Sequence, residues 1–76
     1  MNWISVKDKL AEINEKVLIL VDGSRVIGEY TGDEWIEDFC IDPLNQRFFD
    51  NFLSLSKYIN ENTTHWMPLP LPPKDI

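Results

Sequence analysis

Few residues in this sequence have the types and spacing that catalysis requires. His65 is the only histidine and Cys40 is the only cysteine, and none of the serines stands in a nucleophile-elbow sequence. A catalytic histidine needs a nucleophile and an orienting acid beside it, and a structural zinc ion normally takes four ligands. The glycines form no phosphate-binding loop. The sequence therefore predicts a protein that is not an enzyme, with no catalytic residue, no metal site and no cofactor.

Carboxylates are the most concentrated chemical groups in the chain, whose net charge is −6. Residues 33–42 contain no basic residue and five acids, namely Asp33, Glu34, Glu37, Asp38 and Asp42. Such a segment fits a basic surface on a partner protein, in effect mimicking DNA phosphates, and its first four acids are the predicted protein-interaction residues. The alternative is that these acids only keep a small protein in solution. The seven basic residues are scattered, so direct nucleic-acid binding is not expected.

The aromatic residues suggest a different kind of site. Tyr30 and Trp35 have rings that stack on a nucleotide base, while Arg25, Arg47 or Lys57 would meet its phosphates. The predicted ligand-binding residues are accordingly Tyr30, Trp35, Arg25 and Arg47. The chain is 43% apolar, which is generous for 76 residues and favours a homo-oligomer that holds a ligand between subunits.

An antiparallel meander is predicted to position these groups. Val17–Val21 is an apolar run rich in β-branched residues, Asp22-Gly23-Ser24 is a turn signal, and Arg25–Thr31 is the returning strand. Trp35–Ile41 is the third strand, with Trp35, Phe39 and Ile41 expected on one face. Gly28, in the middle of its strand, indicates a bulge, a close approach by another chain or ligand, or a simple bend.

Helical spacing marks the second half of the chain. Apolar residues at steps of three and four predict a helix from about Pro43 to Ile59, with Asp42 as its N-cap. Near the start, Ser5 and Asp8 resemble a capping box and predict a short helical turn. The predicted fold is α+β, a single domain over residues 1–76. It has a small antiparallel sheet of three to four strands, one longer helix in the C-terminal half, and the short N-terminal helical turn.

The terminal segment TTHWMPLPLPP raises the question of whether it is scaffold or ligand. Its first residues alternate as in a strand, and Pro68 has no N–H for a ladder, so the segment predicts an edge strand or the end of one. An extended Pro-rich tail follows over residues 68–76. One interpretation is a peptide for an aromatic groove on another protein. The favoured one is scaffold, with Trp66 packed against Trp3.

Three motifs in the chain resemble those of a known family. WISVKDKL at residues 3–10 is similar to an opening that typically reads W-I-S-V-x-D-R-L-P, Lys16–Gly23 is similar to its strand and D-G turn, and residues 64–70, THWMPLP, match its terminal signature. This is the family called domain of unknown function 551, found largely in bacteriophages and prophages. Ala11 stands where the family usually has proline. The resemblance implies a phage accessory gene and a shared small α+β fold, and it carries no activity to transfer.

Together these observations predict a non-enzymatic phage or prophage accessory binding protein. Its expected role is counter-defence, by sequestering a host nucleotide-like signal or a host factor. The alternatives are an acidic DNA-mimic inhibitor of a host DNA-handling protein, and a structural or adaptor protein of a phage complex. The predicted partners are a second copy of itself, a host protein or a nucleotide-like small molecule. No segment has the roughly 20 apolar residues of a membrane span and residues 1–10 lack a signal-peptide pattern, so the bacterial cytoplasm is the expected location.

Overall fold

The computed structural model describes residues 2–44 and 52–69, which form one antiparallel sheet with a helix on one face. The described elements are, in chain order, β1 (Ile4–Ser5), β2 (Lys16–Val21), β3 (Ser24–Tyr30), β4 (Trp35–Cys40), α1 (Phe52–Asn62) and β5 (Thr63–Pro68). The order of strands in the sheet is β1-β5-β2-β3-β4. The predicted fold is therefore wrong in its proportions. The described residues hold five strands instead of three to four, and the helix has 11 residues instead of the long helix expected.

The hairpin of β2 and β3 is the part of the sheet that follows most directly from the sequence. Val21 pairs with Ser24, which leaves Asp22 and Gly23 as a two-residue turn, and both have positive φ, 49° and 86°. A turn of that kind matches the right-handed twist of the strands it joins and favours an Asp-Gly sequence. Its register fixes which side chains of β2 and β3 enter the core.

Strand β4 carries a β-bulge that changes which face its side chains occupy. Ile27 pairs with Phe39 but Gly28 pairs with Glu37, so Asp38 is the extra residue of the bulge. Trp35 is consequently buried while Phe39 is 60% exposed, and the prediction that they share a face is wrong. A Cβ at Gly28 would overlap the backbone carbonyl oxygen of Ile36. Of the readings open for Gly28, the bulge is observed, and the close approach comes from β4 of the same chain and not from another chain or a ligand.

The terminal signature forms an interior strand. β5 pairs with β1 on one side, Ile4 opposite Trp66, and with β2 on the other, Ile19 opposite Trp66. The prediction of an edge strand is therefore wrong, whereas Pro68 does lie at the end of its strand, opposite Val17. The remainder of the predicted Pro-rich tail, residues 70–76, lies outside the described residues.

The predicted start of the helix is wrong because Asp42 and Pro43 accept hydrogen bonds from residues that are distant in sequence. Asp42 is bound by Arg25, and Ser24 Oγ donates to the carbonyl of Pro43 at 2.7 Å. These contacts hold residues 42 and 43 beside the start of β3, and residues 41–44 are not helical. The described helix begins at Phe52 and continues three residues past Ile59 to Asn62, after which Thr63 begins β5 directly.

The predicted N-terminal helical turn is one hydrogen-bonded turn after β1. The N–H groups of Asp8 and Lys9 donate to the carbonyl of Ser5 at 2.9 and 3.1 Å, and no helix follows at these residues. The segment then crosses the sheet, since Ala11 is buried in the core and the indole N–H of Trp66 donates to the carbonyl of Lys9 at 2.8 Å. Trp66 is thus held by this segment and paired with Ile4, while its expected packing against Trp3 stays a prediction.

The core lies between one face of the sheet and α1. Its buried residues are Ala11, Val17, Ile19, Val21, Val26, Trp35, Ile59 and Trp66. Every second residue of β2 contributes to it, as expected of a strand that is covered on this face. Tyr58 Oη donates to the carboxylate of Asp22 at 3.0 Å, and the amide of Asp22 donates to the carbonyl of Asn62. These two bonds fix the end of α1 over the β2–β3 turn.

Candidate functional site

A small groove lies where α1 meets the edge strand β4. It has a volume of ≈ 90 Å³ and is lined by Glu34, Trp35, Ile36, Glu37, Leu55, Ser56 and Ile59. The floor is apolar, since Trp35 and Ile59 belong to the core, and two carboxylates stand in its wall. A long side chain with an apolar stem and a charged end matches this combination of surfaces.

Asn60 of α1 holds the helix against β4. Its Oδ1 accepts from the backbone N–H of Trp35 at 2.6 Å, and its Nδ2 donates to the backbone carbonyl of Trp35 at 3.1 Å. The side-chain amide therefore occupies both backbone groups of an edge-strand residue, as a neighbouring strand would. Because Nδ2 also donates to the carbonyl of Ser56 at 2.8 Å, the position of this side chain is fixed. Asn60 thus connects the two elements that form the walls of the groove.

The two carboxylates of the groove have weak polar partners. Ser56 Oγ approaches Glu34 Oε1 at 3.4 Å, and the thiol of Cys40 approaches Glu37 Oε1 at 3.6 Å. Among residues 2–44 and 52–69, the ion pairs join Lys16 to Glu29 and Asp38, and Arg25 to Asp42, so no described cation meets Glu34 or Glu37. Two acids beside an apolar floor thus face a site in which a cation would be favoured.

The other two predicted interaction residues lie outside the groove. Asp33 is exposed in the turn before β4, where its N–H donates to Thr31 Oγ1 at 3.3 Å. Asp38 is exposed at the bulge and forms an ion pair with Lys16 at 3.2 Å. This hydrogen-bonded contact, together with Glu29, raises the pKa of Lys16. The structure therefore brings Glu34 and Glu37 together at one site and gives Asp38 a partner of its own.

The predicted ligand-binding residues are not assembled into one site. Tyr30 and Trp35 are in contact, with ring centroids 4.9 Å apart and planes at 46°, and Trp35 is only 6% exposed. Arg25 lies at the opposite end of β3 from Tyr30. Because the two are an odd number of positions apart, Arg25 belongs to the other face of the sheet. Arg47 lies outside the described residues. Lys57 is exposed on α1.

Arg25 has a structural partner in Asp42. Its Nε and Nη2 donate to the two carboxylate oxygens at 2.8 and 3.0 Å, and its backbone N–H donates to Oδ2 at 3.0 Å. These hydrogen bonds from the side chain and the backbone of Arg25 lower the pKa of Asp42 to about 2. The pair fastens the segment after β4 to the start of β3.

The Arg25–Asp42 pair predicts a specific acid sensitivity. Since the folded pKa is depressed, the stabilisation is complete above the ordinary pKa of 3.8 and is lost as the pH falls through about 2. Urea unfolding of the wild type and of Asp42→Asn should therefore differ most above about pH 4 and converge towards about pH 2. A difference between the two proteins that stayed constant from neutral pH down to about pH 2 would contradict this role of the carboxylate.

A second depression lies near β1. The depression has a volume of ≈ 380 Å³, is lined by residues 5–7, Glu61 and residues 63–65, and contains none of the predicted ligand-binding residues.

Burial, followed by the charge of Glu37, raises the pKa of the Cys40 thiol, which keeps it protonated at neutral pH. Within the described residues there is no group of three or more His, Cys, Asp or Glu side chains placed to hold a metal ion.

Sequence reasoning named the acids of the groove but missed its helical wall. The helical wall consists of Leu55, Ser56 and Asn60. The helical spacing predicts that these residues are in a helix, but it does not predict which strand the helix packs against. Asn60 was the one sequence signal for this wall. Asparagine is disfavoured inside helices, and an asparagine two residues before the end of α1 therefore suggests that its side chain has a specific partner.

Comparison with known protein families confirms the family that the sequence resembles. The profile of a family described as a protein of unknown function, DUF551, matches residues 2–74. The chain belongs to the DUF551 family. In this DUF551 protein the N-terminal and terminal motifs form β1 and β5, which pair with each other. No curated protein and no solved structure matches the chain. Among the described residues, no helix is long and apolar enough to cross a membrane.

Proposed function

We propose that this DUF551 protein is a non-enzymatic binding protein that docks onto a basic partner protein through the groove between β4 and α1. The observation that carries the proposal is the pair of carboxylates, Glu34 and Glu37, beside an apolar floor and without a cation among the described residues. A lysine or arginine side chain of the partner places its stem on the floor and its charge between the two acids.

The size of the groove favours a protein side chain over a nucleotide. Sites for ligands of drug or cofactor size usually enclose about 300–1,000 Å³, and the groove has ≈ 90 Å³. The hydrogen bonds of Asn60 already hold α1 against β4, so less ordering is needed when one side chain inserts. The groove is thus an anchor point within a larger contact.

The chemistry of the partner follows from the charge of the surface around the groove. The protein has a net charge of −6, and Asp33 adds an exposed acid next to Glu34. Proteins that handle DNA present basic surfaces to phosphates. We assign the partner to that class, and with it the role of an acidic inhibitor acting in the cytoplasm of a bacterial host of the phage.

Neutralising the two groove acids is expected to weaken binding of a basic probe. The probe is an octapeptide of alternating arginine and glycine, titrated by calorimetry into the wild type and into Glu34→Gln/Glu37→Gln. We expect about a tenfold loss of affinity, because two partly exposed ion pairs contribute about 0.5–1 kcal/mol each. The wild-type affinity should also fall as the salt concentration is raised.

A matched variant separates the groove from general attraction by negative charge. Glu12→Gln/Glu15→Gln removes the same two charges from exposed positions outside the groove. It should bind the peptide within about twofold of the wild type, because neither side chain lines the groove and an exposed charge that forms no direct ion pair contributes little. Equal losses in both double variants would contradict the proposal.

A further pair of substitutions tests whether a cation of the chain itself, and not one of the partner, binds in the groove. Arg47→Gln/Lys74→Gln should bind the peptide within about threefold of the wild type, because the proposal places the partner's cation there. Affinity that rose about tenfold in this variant would mean that the groove is an intramolecular site.

The nucleotide-sequestering hypothesis remains a prediction with less support. The contact of Tyr30 with Trp35 is the feature in its favour, but Arg25 is bound to Asp42 and lies on the other face. A thermal-shift screen with nucleotides and cyclic nucleotides tests this hypothesis directly. A raised melting temperature would favour it over the basic-partner proposal. The adaptor role in a phage complex likewise remains a prediction.

A further inference from the structure

The outer side of β4 offers backbone groups to a further strand. In an antiparallel pair the N–H and C=O of one residue point to the same side, and successive residues alternate. Asn60 binds both groups of Trp35 from the side away from β3, so the N–H and C=O of Glu37 point to that side as well. Within the part of the chain that the structure describes, Asn60 is the one residue that binds backbone groups on this side of β4. The edge is therefore open at Glu37, beside the groove.

A strand added at Glu37 would direct a side chain into the groove. Residues directly opposite each other in paired strands lie on the same face of the sheet. The side chain of Glu37 lines the groove between β4 and α1, so the residue opposite it points to the same place. A basic residue at this position lies across from Glu37 and shares the groove with Glu34.

The other face of β4 calls for apolar residues in the added strand. Ile36 and Phe39 are exposed on the face away from α1, since their partners in β3, Glu29 and Ile27, do not belong to the core. Because side chains alternate between the two faces, the residues before and after the basic one lie on the same face as Ile36 and Phe39. Apolar side chains there remove part of these two residues from water.

We propose that the basic partner binds by adding a short extended segment, with alternating basic and apolar residues, antiparallel to the outer edge of β4 at Glu37. The inference rests on the proposed function and names the form of the partner that fills the groove. All the described strand pairs of the sheet are antiparallel. Main-chain hydrogen bonds to an exposed edge give such a complex its affinity, while the alternate side chains give it specificity.

The bulge and the acids of β4 favour a short basic segment over a second copy of the chain. Asp38 is the extra residue of the bulge and interrupts the regular spacing of the outer backbone groups, which limits the pairing to a few residues. A second copy that paired through its own β4 at this point would set Glu37 opposite the same acid, and like charges directly opposite each other are destabilising. The homo-oligomer expected from the composition stays a prediction.

Backbone methylation of the arginine–glycine octapeptide tests the added strand. The arginine opposite Glu37 exchanges both of its main-chain hydrogen bonds with that residue, whereas the N–H groups of the glycines point away. A methyl group on the backbone nitrogen of every arginine should therefore lower the affinity measured by calorimetry about tenfold. The matched peptide with the methyl groups on its glycine nitrogens has the same charge and should bind within about threefold of the parent peptide.

Replacing the glycines of the octapeptide by valine tests the apolar positions. The affinity should rise about fivefold, because apolar pairs across neighbouring strands stabilise their pairing. Phe39→Ser should remove most of this gain. It should leave binding of the arginine–glycine peptide within about twofold of the wild type, since Phe39 is exposed and does not line the groove.

Hydrogen exchange shows whether the edge is open in the free protein. The amide of Glu37 should exchange at least about tenfold faster than that of Ile36, which points towards β3, and should slow when the octapeptide binds. A Glu37 amide as protected as that of Ile36 in the free protein would overturn the inference, and so would equal affinities of the two methylated peptides. If Glu34→Gln/Glu37→Gln still weakened binding in that case, the groove would stand and only the added strand would be wrong. If this double variant bound the parent peptide like the wild type, the proposed function would fail and the added strand with it.

Discussion

Replacing Trp66 by alanine is expected to remove most of the stability of the protein. Trp66 is 6% exposed, lies in the core cluster, and belongs to a strand with neighbours on both sides. Truncation of a buried tryptophan costs about 3–5 kcal/mol, and a small domain has little more than that in total. Urea unfolding followed by circular dichroism should show Trp66→Ala largely unfolded or with its midpoint far below that of the wild type.

Two further variants separate the causes of this loss. Trp66→Phe keeps a ring in the core but removes the N–H that donates to the carbonyl of Lys9 at 2.8 Å, and it should cost about 1–2 kcal/mol. His65→Ala, the preceding residue on the half-exposed side of β5, should change the stability by less than about 1 kcal/mol. A Trp66→Ala protein within about 1 kcal/mol of the wild type would contradict the interior position of the terminal signature.

Replacing Gly28 by valine is expected to have the second largest effect. A Cβ at this position would overlap the carbonyl oxygen of Ile36, which is backbone and cannot rotate away, and would lie 3.5 Å from Cδ1 of Ile19. Overpacking costs about 1–3 kcal/mol of stability. Because the valine would clash with a backbone atom, we expect a cost at the upper end of this range. The pairing of β3 with β4 at the bulge must then shift, and with it the edge strand that carries the groove.

Gly23 supplies the control for Gly28. It has positive φ in the β2–β3 turn, but no atom lies within 4 Å of a Cβ built there. Asparagine tolerates that backbone conformation, so Gly23→Asn should cost less than about 1 kcal/mol. Both variants are compared by the midpoint of thermal unfolding. If Gly28→Val had the same melting temperature as Gly23→Asn and the wild type, the close approach of β4 to β3 would be contradicted.

The local parts of the fold were predictable from the sequence, whereas the long-range parts were not. The hairpin of β2 and β3 follows from the alternation around Asp22-Gly23, because the turn and its strands are neighbours in sequence. Asp42-Pro43 has the sequence of a helix start, yet Arg25 and Ser24 bind these residues from 17 and 19 positions away. Local preference gave way there to contacts that a sequence pattern does not contain.

The interior position of β5 and the groove illustrate the same limit. Pro68 indicated an edge, but as the last residue of β5 it leaves the pairing of Trp66 with both neighbours intact. Glu34 and Glu37 were predicted as acidic surface residues. That they stand beside an apolar floor depends on the packing of α1 against β4 through Asn60, which no spacing within residues 33–42 encodes.

The central claim is that recognition takes place at the groove between β4 and α1 while the terminal signature is scaffold. The most direct test is a titration of ¹⁵N-labelled protein with the arginine–glycine octapeptide, followed by amide chemical shifts. We expect the largest changes at residues 34–37 and at Leu55, Ser56 and Ile59, with β5 unaffected. Changes centred on residues 63–68 and absent from the groove would contradict the claim.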